Sequence, residues 1–284
     1  MKKYLLTLLL VFITVTLFAQ SKPAYVLYNA EGKKVSYKKM IRQLAQKDIV
    51  LFGEFHNNPI SHWLELSVAK DIAEKKEVVF GAEMFEADNQ QQLNDYLSGK
   101  LSAKGLDSSA RLWKNYKTDY APLVDLAKEK KAAFIATNIP RSYASLVFKR
   151  GFEALDTISA NAKKWMAPLP MDYDSTLPGY VNMVKNMGGH GGPNLPKAQA
   201  SKDATMAYFI LQNLQPGKIF IHFNGAYHSE NYEGINWYLK RKRPDIAIGT
   251  ITTVSQKDLK KLLEENKGKA DFIICVDEDM TSTY

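Results

Sequence analysis

Asp48-Ile49-Val50-Leu51-Phe52-Gly53-Glu54-Phe55-His56 and Lys218-Ile219-Phe220-Ile221-His222-Phe223-Asn224-Gly225-Ala226-Tyr227-His228 are the stretches whose reading decides the fold. Each is a β-rich apolar run that ends in Gly-x-x-His. A run apolar at successive positions is covered on both faces, as in a parallel sheet packed between helices. Ligands of such sheets sit just outside the carboxyl ends of the strands. Both runs therefore deliver an imidazole to the place where a site is expected.

Working outward, apolar runs alternate with amphipathic stretches, the pattern of an α/β fold with crossover helices. Strands are expected near 49–55, 78–85, 132–138, 218–224, 246–253 and 271–276. Helices are expected near 37–46, 60–75, 89–97, 120–131, 142–152, 198–212, 234–240 and 256–265. The fold class is a mostly parallel sheet with helices on both faces. Residues 163–196 differ: Pro168, Pro170, Pro178, Pro193 and Pro196 surround Gly188-Gly189-His190-Gly191-Gly192. That composition predicts a partly helical insertion, read as a mobile loop or as a lid over the site.

Lys2 and Lys3 ahead of an apolar stretch over 5–18, then the small Ala19, read as a secretory signal over 1–19. The apolar run is shorter than the ~20 residues of a membrane span. Export to the periplasm or the extracellular space is expected, with residues 20–284 as one domain. No cysteine lies near residue 20, so no lipid anchor is expected. Cys275 is the sole cysteine, which rules out an internal disulfide and suits a small buried hydrophobe. The formal net charge of +8 is spread thinly apart from Lys240-Arg241-Lys242-Arg243. A solvated helix end explains that run better than nucleic-acid binding, and the excess suits a small anionic ligand.

Glu54 and His56 are two residues apart and share a face if the strand continues through them. A buried carboxylate there needs a positive partner: a histidine, an arginine or a metal ion. Glu83 repeats the pattern at the end of the next apolar run. Arg141, in Asn138-Ile139-Pro140-Arg141, is placed to bind a carboxylate or to neutralise Glu54 or Glu83. His228 is expected to meet His56 across the sheet, and His56, His228, Glu54 and Glu83 together have the donor types of a zinc or manganese site. His222 reads as a core residue; His62 reads either as a neighbour of the site or as packing. No Gly-x-Ser-x-Gly, His-Glu-x-x-His, phosphate-binding Gly-Lys-Ser/Thr or Cys-x-x-Cys-His motif is present.

In order, Gly53-Glu54-Phe55-His56, Gly81-Ala82-Glu83-Met84-Phe85, Asn138-Ile139-Pro140-Arg141, Gln199-x-x-x-Asp203-x-x-Met206-Ala207 and Gly225-Ala226-Tyr227-His228 resemble the ChaN-like haem-binding uptake family. That family lies in the superfamily of Tiki proteases, TraB proteins and erythromycin esterases. The resemblance covers roughly residues 35–280. It implies an exported haem-binding protein of haem or iron uptake, with an outer-membrane uptake system and a homodimer as partners. His56, His228 and Arg141 become the haem-contacting candidates. The alternative it implies is a metal-dependent hydrolase, with Glu54 and Glu83 as catalytic acids beside the two histidines and Asp203 as a supporting partner.

Overall fold

The structure, a computed structural model, describes residues 22–186 and 192–282. The expected signal, and Gly188, Gly189, His190 and Gly191 of the glycine run, lie outside those residues. Seven strands form one sheet in the order β1-β7-β6-β2-β5-β3-β4. They are β1 (Tyr25–Asn29), β2 (Ile49–Glu54), β3 (Val78–Glu86), β4 (Phe134–Asn138), β5 (Ile219–Gly225), β6 (Ile248–Gln256) and β7 (Phe272–Asp277). All neighbours run parallel except β1, which pairs antiparallel with β7. The mixed α/β class expected from the apolar runs is the class observed.

Side-chain alternation along the strands separates two cores. Val50, Phe52, Phe80, Ala82, Ile221 and Phe223 face one side. There they meet α1 (Tyr37–Leu44), α2 (Pro59–Ala73), α3 (Gln90–Leu97), α4 (Ala103–Ser109) and α5 (Ala121–Lys130). Ile49, Leu51, Val79 and Phe220 face the other side, against α8 (Leu195–Asn213) and α9 (Ile235–Lys242). The remaining helices are α6 (Arg141–Arg150), whose Ala144 and Val147 pack on Ala198 of α8, and α7 (Pro178–Asn186) in the Pro-rich segment.

The sheet reverses its winding between its two central strands. From β2 the chain crosses on the α2 side to β3; from the adjacent β5 it crosses on the α9 side to β6. The two connections leave in opposite directions on opposite faces, which opens a crevice at the carboxyl ends of β2 and β5. Local chemistry fixes where α2 begins. The Asn58 side chain accepts from the N–H groups of Ile60 and Ser61, each at 3.0 Å, and Pro59 opens the first turn.

One expected element is corrected. Residues 256–265 are not a helix: β6 extends to Gln256, followed by a loop and a short 3-10 turn at Glu264–Asn266. The buried Gln256 side chain bonds the Lys261 carbonyl at 2.8 Å and the Leu263 N–H at 3.2 Å. It thereby satisfies backbone groups that a helix would otherwise pair, while Leu259 and Leu262 enter the core beside β1 and β7. Strand β1 and helix α4 were not anticipated. Cys275 is buried in β7 as expected, and burial pushes its thiol up to about 12.

Gly53 shows how tightly the crevice floor is built. A Cβ there would stand 3.0 Å from the Ala226 Cα and 3.0 Å from the Ile251 carbonyl oxygen, both backbone atoms that cannot swing aside. Gly53→Ala is expected to destabilise the protein by about 1–3 kcal/mol, the usual cost of overpacking, read as a lower denaturation midpoint. An unchanged midpoint would show that β2, β5 and β6 are looser at this edge than the structure has them.

Candidate functional site

The two Gly-x-x-His segments meet at the crevice, and the glycine of one makes room for the histidine of the other. Gly225 faces the His56 ring: a Cβ added there would lie 2.8 Å from Nε2. Around them opens a cleft of about 680 Å³, lined by Glu54, His56, Gly225, Tyr227, His228 and Lys269 among others. Ligand sites commonly occupy roughly 300–1,000 Å³.

On the α2 face, Glu54 continues the inward alternation of Val50 and Phe52 and is 1 % exposed. Its Oε1 lies 2.5 Å from His56 Nδ1 and accepts from the Tyr120 hydroxyl at 2.7 Å. Its Oε2 lies 3.1 Å from His62 Nδ1, on the first turn of α2. That nitrogen also stands 3.0 Å from Glu65 Oε2, on which its one hydrogen is aligned, so Glu54 Oε2 is left without a hydrogen bond. His62 Nε2 is 2.9 Å from the His56 carbonyl and 3.4 Å from Asp119 Oδ2. Asn115 donates to both the same carbonyl and Asp119. Asp119 and Tyr120 belong to a single π-helical turn, Tyr116–Tyr120, which runs into α5. Trp113 stands edge-on to His56 with ring centres 4.9 Å apart.

These contacts set the charges. Burial drives the Glu54 carboxyl upward, but the His56 hydrogen bond and the adjacent His62 imidazole outweigh it and hold the group at about 2. Burial disfavours charge on His62 as well, yet Glu54 and Glu65 raise it to about 11. Glu65 is pushed well above the carboxylate range by burial and by the neighbouring Glu54. His56 is raised against its own burial by Glu54 and Glu83.

On the α9 face, Glu83 follows Val79 and Gly81 at a register shift of β3 against β4. Its Oε2 accepts the Gly225 N–H at 2.8 Å, closing the end of β5, and its Oε1 lies 3.1 Å from His228 Nε2. His228 sits in the short turn Ala226–His228, with Nδ1 2.5 Å from Asp203 Oδ1 on α8. The Tyr180 hydroxyl donates to the other Asp203 oxygen at 2.8 Å. Burial alone would lower His228, but Glu83 and Asp203 on either side raise it to about 9. Burial would raise Glu83, and His228 with His56 holds it far below the usual range.

All four expected residues at the strand ends, Glu54, His56, Glu83 and His228, therefore lie at one sheet edge, as two pairs on opposite faces. Asp203 reaches His228 directly. Arg141 is exposed at the first position of α6, and among the described residues it makes no ion pair. Histidines, not Arg141, compensate Glu54 and Glu83. His222 is a core residue, bonded to Thr137 at 2.7 Å and Asn224 at 3.1 Å and lowered by burial to about 4. Sequence reasoning missed Glu65, Asn115, Asp119, Tyr120 and Tyr180. The i, i+3 spacing of His62 and Glu65 on a helix was the available signal. The four strand-end residues do not converge as one ligand set; among the described residues, the acids and histidine whose donor atoms fall within 4.8 Å of one another are Glu54, His62 and Glu65.

No curated protein matches the sequence. Among solved structures, the chain resembles one described as cofacial heme binding to ChaN of Campylobacter jejuni, at 18 % identity and TM-score 0.65, covering 90 % of this chain and 98 % of that one. An erythromycin esterase mutant in its open conformation matches at 9 % identity and TM-score 0.51, over 90 % of this chain and 98 % of that one. A Bacillus cereus protein matches at 11 % identity and TM-score 0.50, over 86 % and 92 % of the two chains. These likenesses establish a shared fold. The family described as haem-binding uptake, Tiki superfamily, ChaN, matches residues 40–239, most of the chain, and the protein belongs to that family.

Proposed function

We propose that this protein binds haem in the cleft at the carboxyl ends of β2 and β5, as an exported component of haem or iron uptake. The observation that carries the reading is the state of His56. Its Nδ1 is engaged by Glu54, while Nε2 has no hydrogen-bond partner among the described residues and its side chain, 36 % exposed, lines the cleft. A carboxylate on one ring nitrogen fixes the tautomer and leaves the other nitrogen to a metal centre. Haem brings an iron that accepts axial nitrogen or oxygen ligands and two anionic propionates.

The remaining lining fits such a ligand. Tyr227 is 40 % exposed at the cleft, and Lys269, 3.6 Å from Glu230, brings a cation there that a propionate would share or take over. Trp113 backs the His56 ring. Arg141 stands at the end of β4, on the same edge but two strands from β5 and three from β2, so propionate contact is assigned to Lys269 ahead of it. Lys2, Lys3 and the apolar stretch over 5–18 support export. Location in the periplasm or outside the cell, delivery to an outer-membrane uptake system and a haem-bridged homodimer belong to the same proposal.

The metal-dependent hydrolase reading, with Glu54 or Glu83 as general base, ranks second. A general base works best with a pKa near the operating pH. Both carboxylates hold their charge far below neutral pH and already accept from imidazoles.

Hemin titration of the protein, followed by absorption spectroscopy, is expected to give a saturable Soret shift. His56→Ala is expected to weaken binding at least tenfold, about 1.4 kcal/mol. Gly225→Ala, whose backbone (φ −55°) tolerates a side chain, is expected to do the same by displacing the His56 ring. A flat wild-type titration sinks the haem reading; wild-type affinity in His56→Ala removes this histidine from it.

The pH dependence has a definite sign. His56 is raised, so at low pH its Nε2 carries a proton that an iron centre must displace. Affinity is expected to climb as pH rises through the raised His56 value and to level off above it, and His56→Ala should flatten that limb. A rise in affinity on acidification would contradict ligation through this nitrogen.

A further inference from the structure

We propose that Glu54, His62 and Glu65 form a second, fully enclosed site for one divalent first-row transition-metal cation, distinct from the cleft. The site lies behind β2, between its last residue and the first two turns of α2. The three residues are buried, with Glu65 0 %, Glu54 1 % and His62 6 % exposed.

Two independent features point to a cation. First, Glu54 Oε2 and Glu65 Oε1 are buried carboxylate oxygens with no hydrogen-bond partner. Two such oxygens at one spot call for a shared positive group, a proton on the raised Glu65 or a cation in its place; an unsatisfied buried polar group ordinarily costs about 1–3 kcal/mol. Second, His62 is prepared as a ligand. Its Nε2 donates to the His56 carbonyl and faces Asp119, which holds a hydrogen on that nitrogen, so a cation can take the place of the Nδ1 hydrogen that now lies on Glu65 Oε2. Outer partners of this kind orient metal-bound histidines.

The spacing agrees. His62 Nδ1 is 3.1 Å from Glu54 Oε2 and 3.0 Å from Glu65 Oε2. Donors bound at about 2.0–2.2 Å stand roughly 3.0–3.5 Å apart at angles between octahedral and tetrahedral. One imidazole with two carboxylates suits manganese, iron(II), cobalt or zinc; magnesium and calcium prefer all-oxygen sets. Binding places a 2+ charge among Glu54, Glu65 and the neighbouring Asp119 and releases to solvent the His62 Nδ1 proton and the proton that burial holds on Glu65. The ion is structural: it ties the start of α2 to the end of β2. This reading does not rest on haem binding, because a haem-free chain can hold the ion.

The test is metal analysis of the full chain produced in medium supplied with manganese, cobalt or zinc and then desalted. About one equivalent of one of these ions, with visible cobalt bands and a metal-dependent rise in melting temperature, is expected. Glu65→Gln and His62→Gln should lose the ion or weaken it at least tenfold, whereas His228→Gln and His56→Ala should keep it. Wild-type protein with no retained ion, no cobalt bands and no thermal shift overturns the site. Loss in His228→Gln with retention in Glu65→Gln overturns it as well, by placing the ion at the Glu83 edge. If neither Glu65→Gln nor His62→Gln folds, retention of the ion by both His228→Gln and His56→Ala supports the enclosed site, and loss from either overturns it. Hemin titration of the same preparations reports the cleft separately, so failure of one reading leaves the other standing.

Discussion

The structure is organised around ionised carboxylates held out of water at the ends of β2 and β3. Glu54 and Glu83 are 1 % and 3 % exposed. An isolated buried charge costs several kcal/mol, and removing one partner of a buried pair typically costs about 3–5 kcal/mol. Each acid must therefore be met by elements distant in sequence. Helix α2 brings His62 to Glu54, the turn after β5 brings His228 to Glu83, and α8 brings Asp203 to the far side of that ring. These requirements fix how the helices of both faces sit against the sheet edge.

The division into two faces follows from strand periodicity. Glu54 shares the parity of Val50 and Phe52, whereas Glu83 shares that of Val79 and Gly81, so the acids emerge on opposite sides. The switch in winding between β2 and β5 leaves the space above them open, and Gly53 and Gly225 let the ends of these strands close up beneath it. His56 alone of the three network histidines keeps a free ring edge toward the cleft. His62 and His228 are each held between acids on both ring nitrogens. On the proposed haem reading, ligand contact falls to His56 and the other two histidines only position the strand ends.

Much of this was legible in the chain because parallel strands buried on both faces write themselves as apolar runs. The six runs from 49–55 to 271–276 all became strands, and the ends of three of them, β2, β3 and β5, carry Glu54, His56, Glu83 and His228. What was not legible depends on partners. Tyr25–Asn29 is a strand because β7 offers it an edge, not because five residues alternate. The stretch at 256–265 has helical spacing, but the Gln256 amide claims its backbone groups. Glu65, Asp119 and Tyr120 carry no strand-end signature; α2 itself brings Glu65 beside Glu54, and the return of a π-helical turn onto α2 brings Tyr120 to Glu54 and Asp119 to His62. Arg141 was read as a partner for the acids from its place after a strand. That place, after the outer strand β4, is three strands from Glu54 on β2 and next to Glu83 on β3, but Arg141 is exposed there while buried histidines meet both acids.

Glu54 is where the enclosed and open halves of the site touch. One carboxylate oxygen holds His56 and Tyr120; the other faces His62 and Glu65. A carboxylate is planar, so whatever satisfies Oε2 also fixes the plane in which Oε1 meets His56 Nδ1. The ring edge presented to the cleft therefore inherits its orientation from a pocket that never meets solvent. Rigid support of this sort suits the haem contact proposed for His56: a ligand at Nε2 would meet a ring already oriented, and less of its binding free energy would go into ordering the site. The buried acids at the strand ends, costly as elements of a core, are in this way the means by which a surface cleft acquires a fixed geometry.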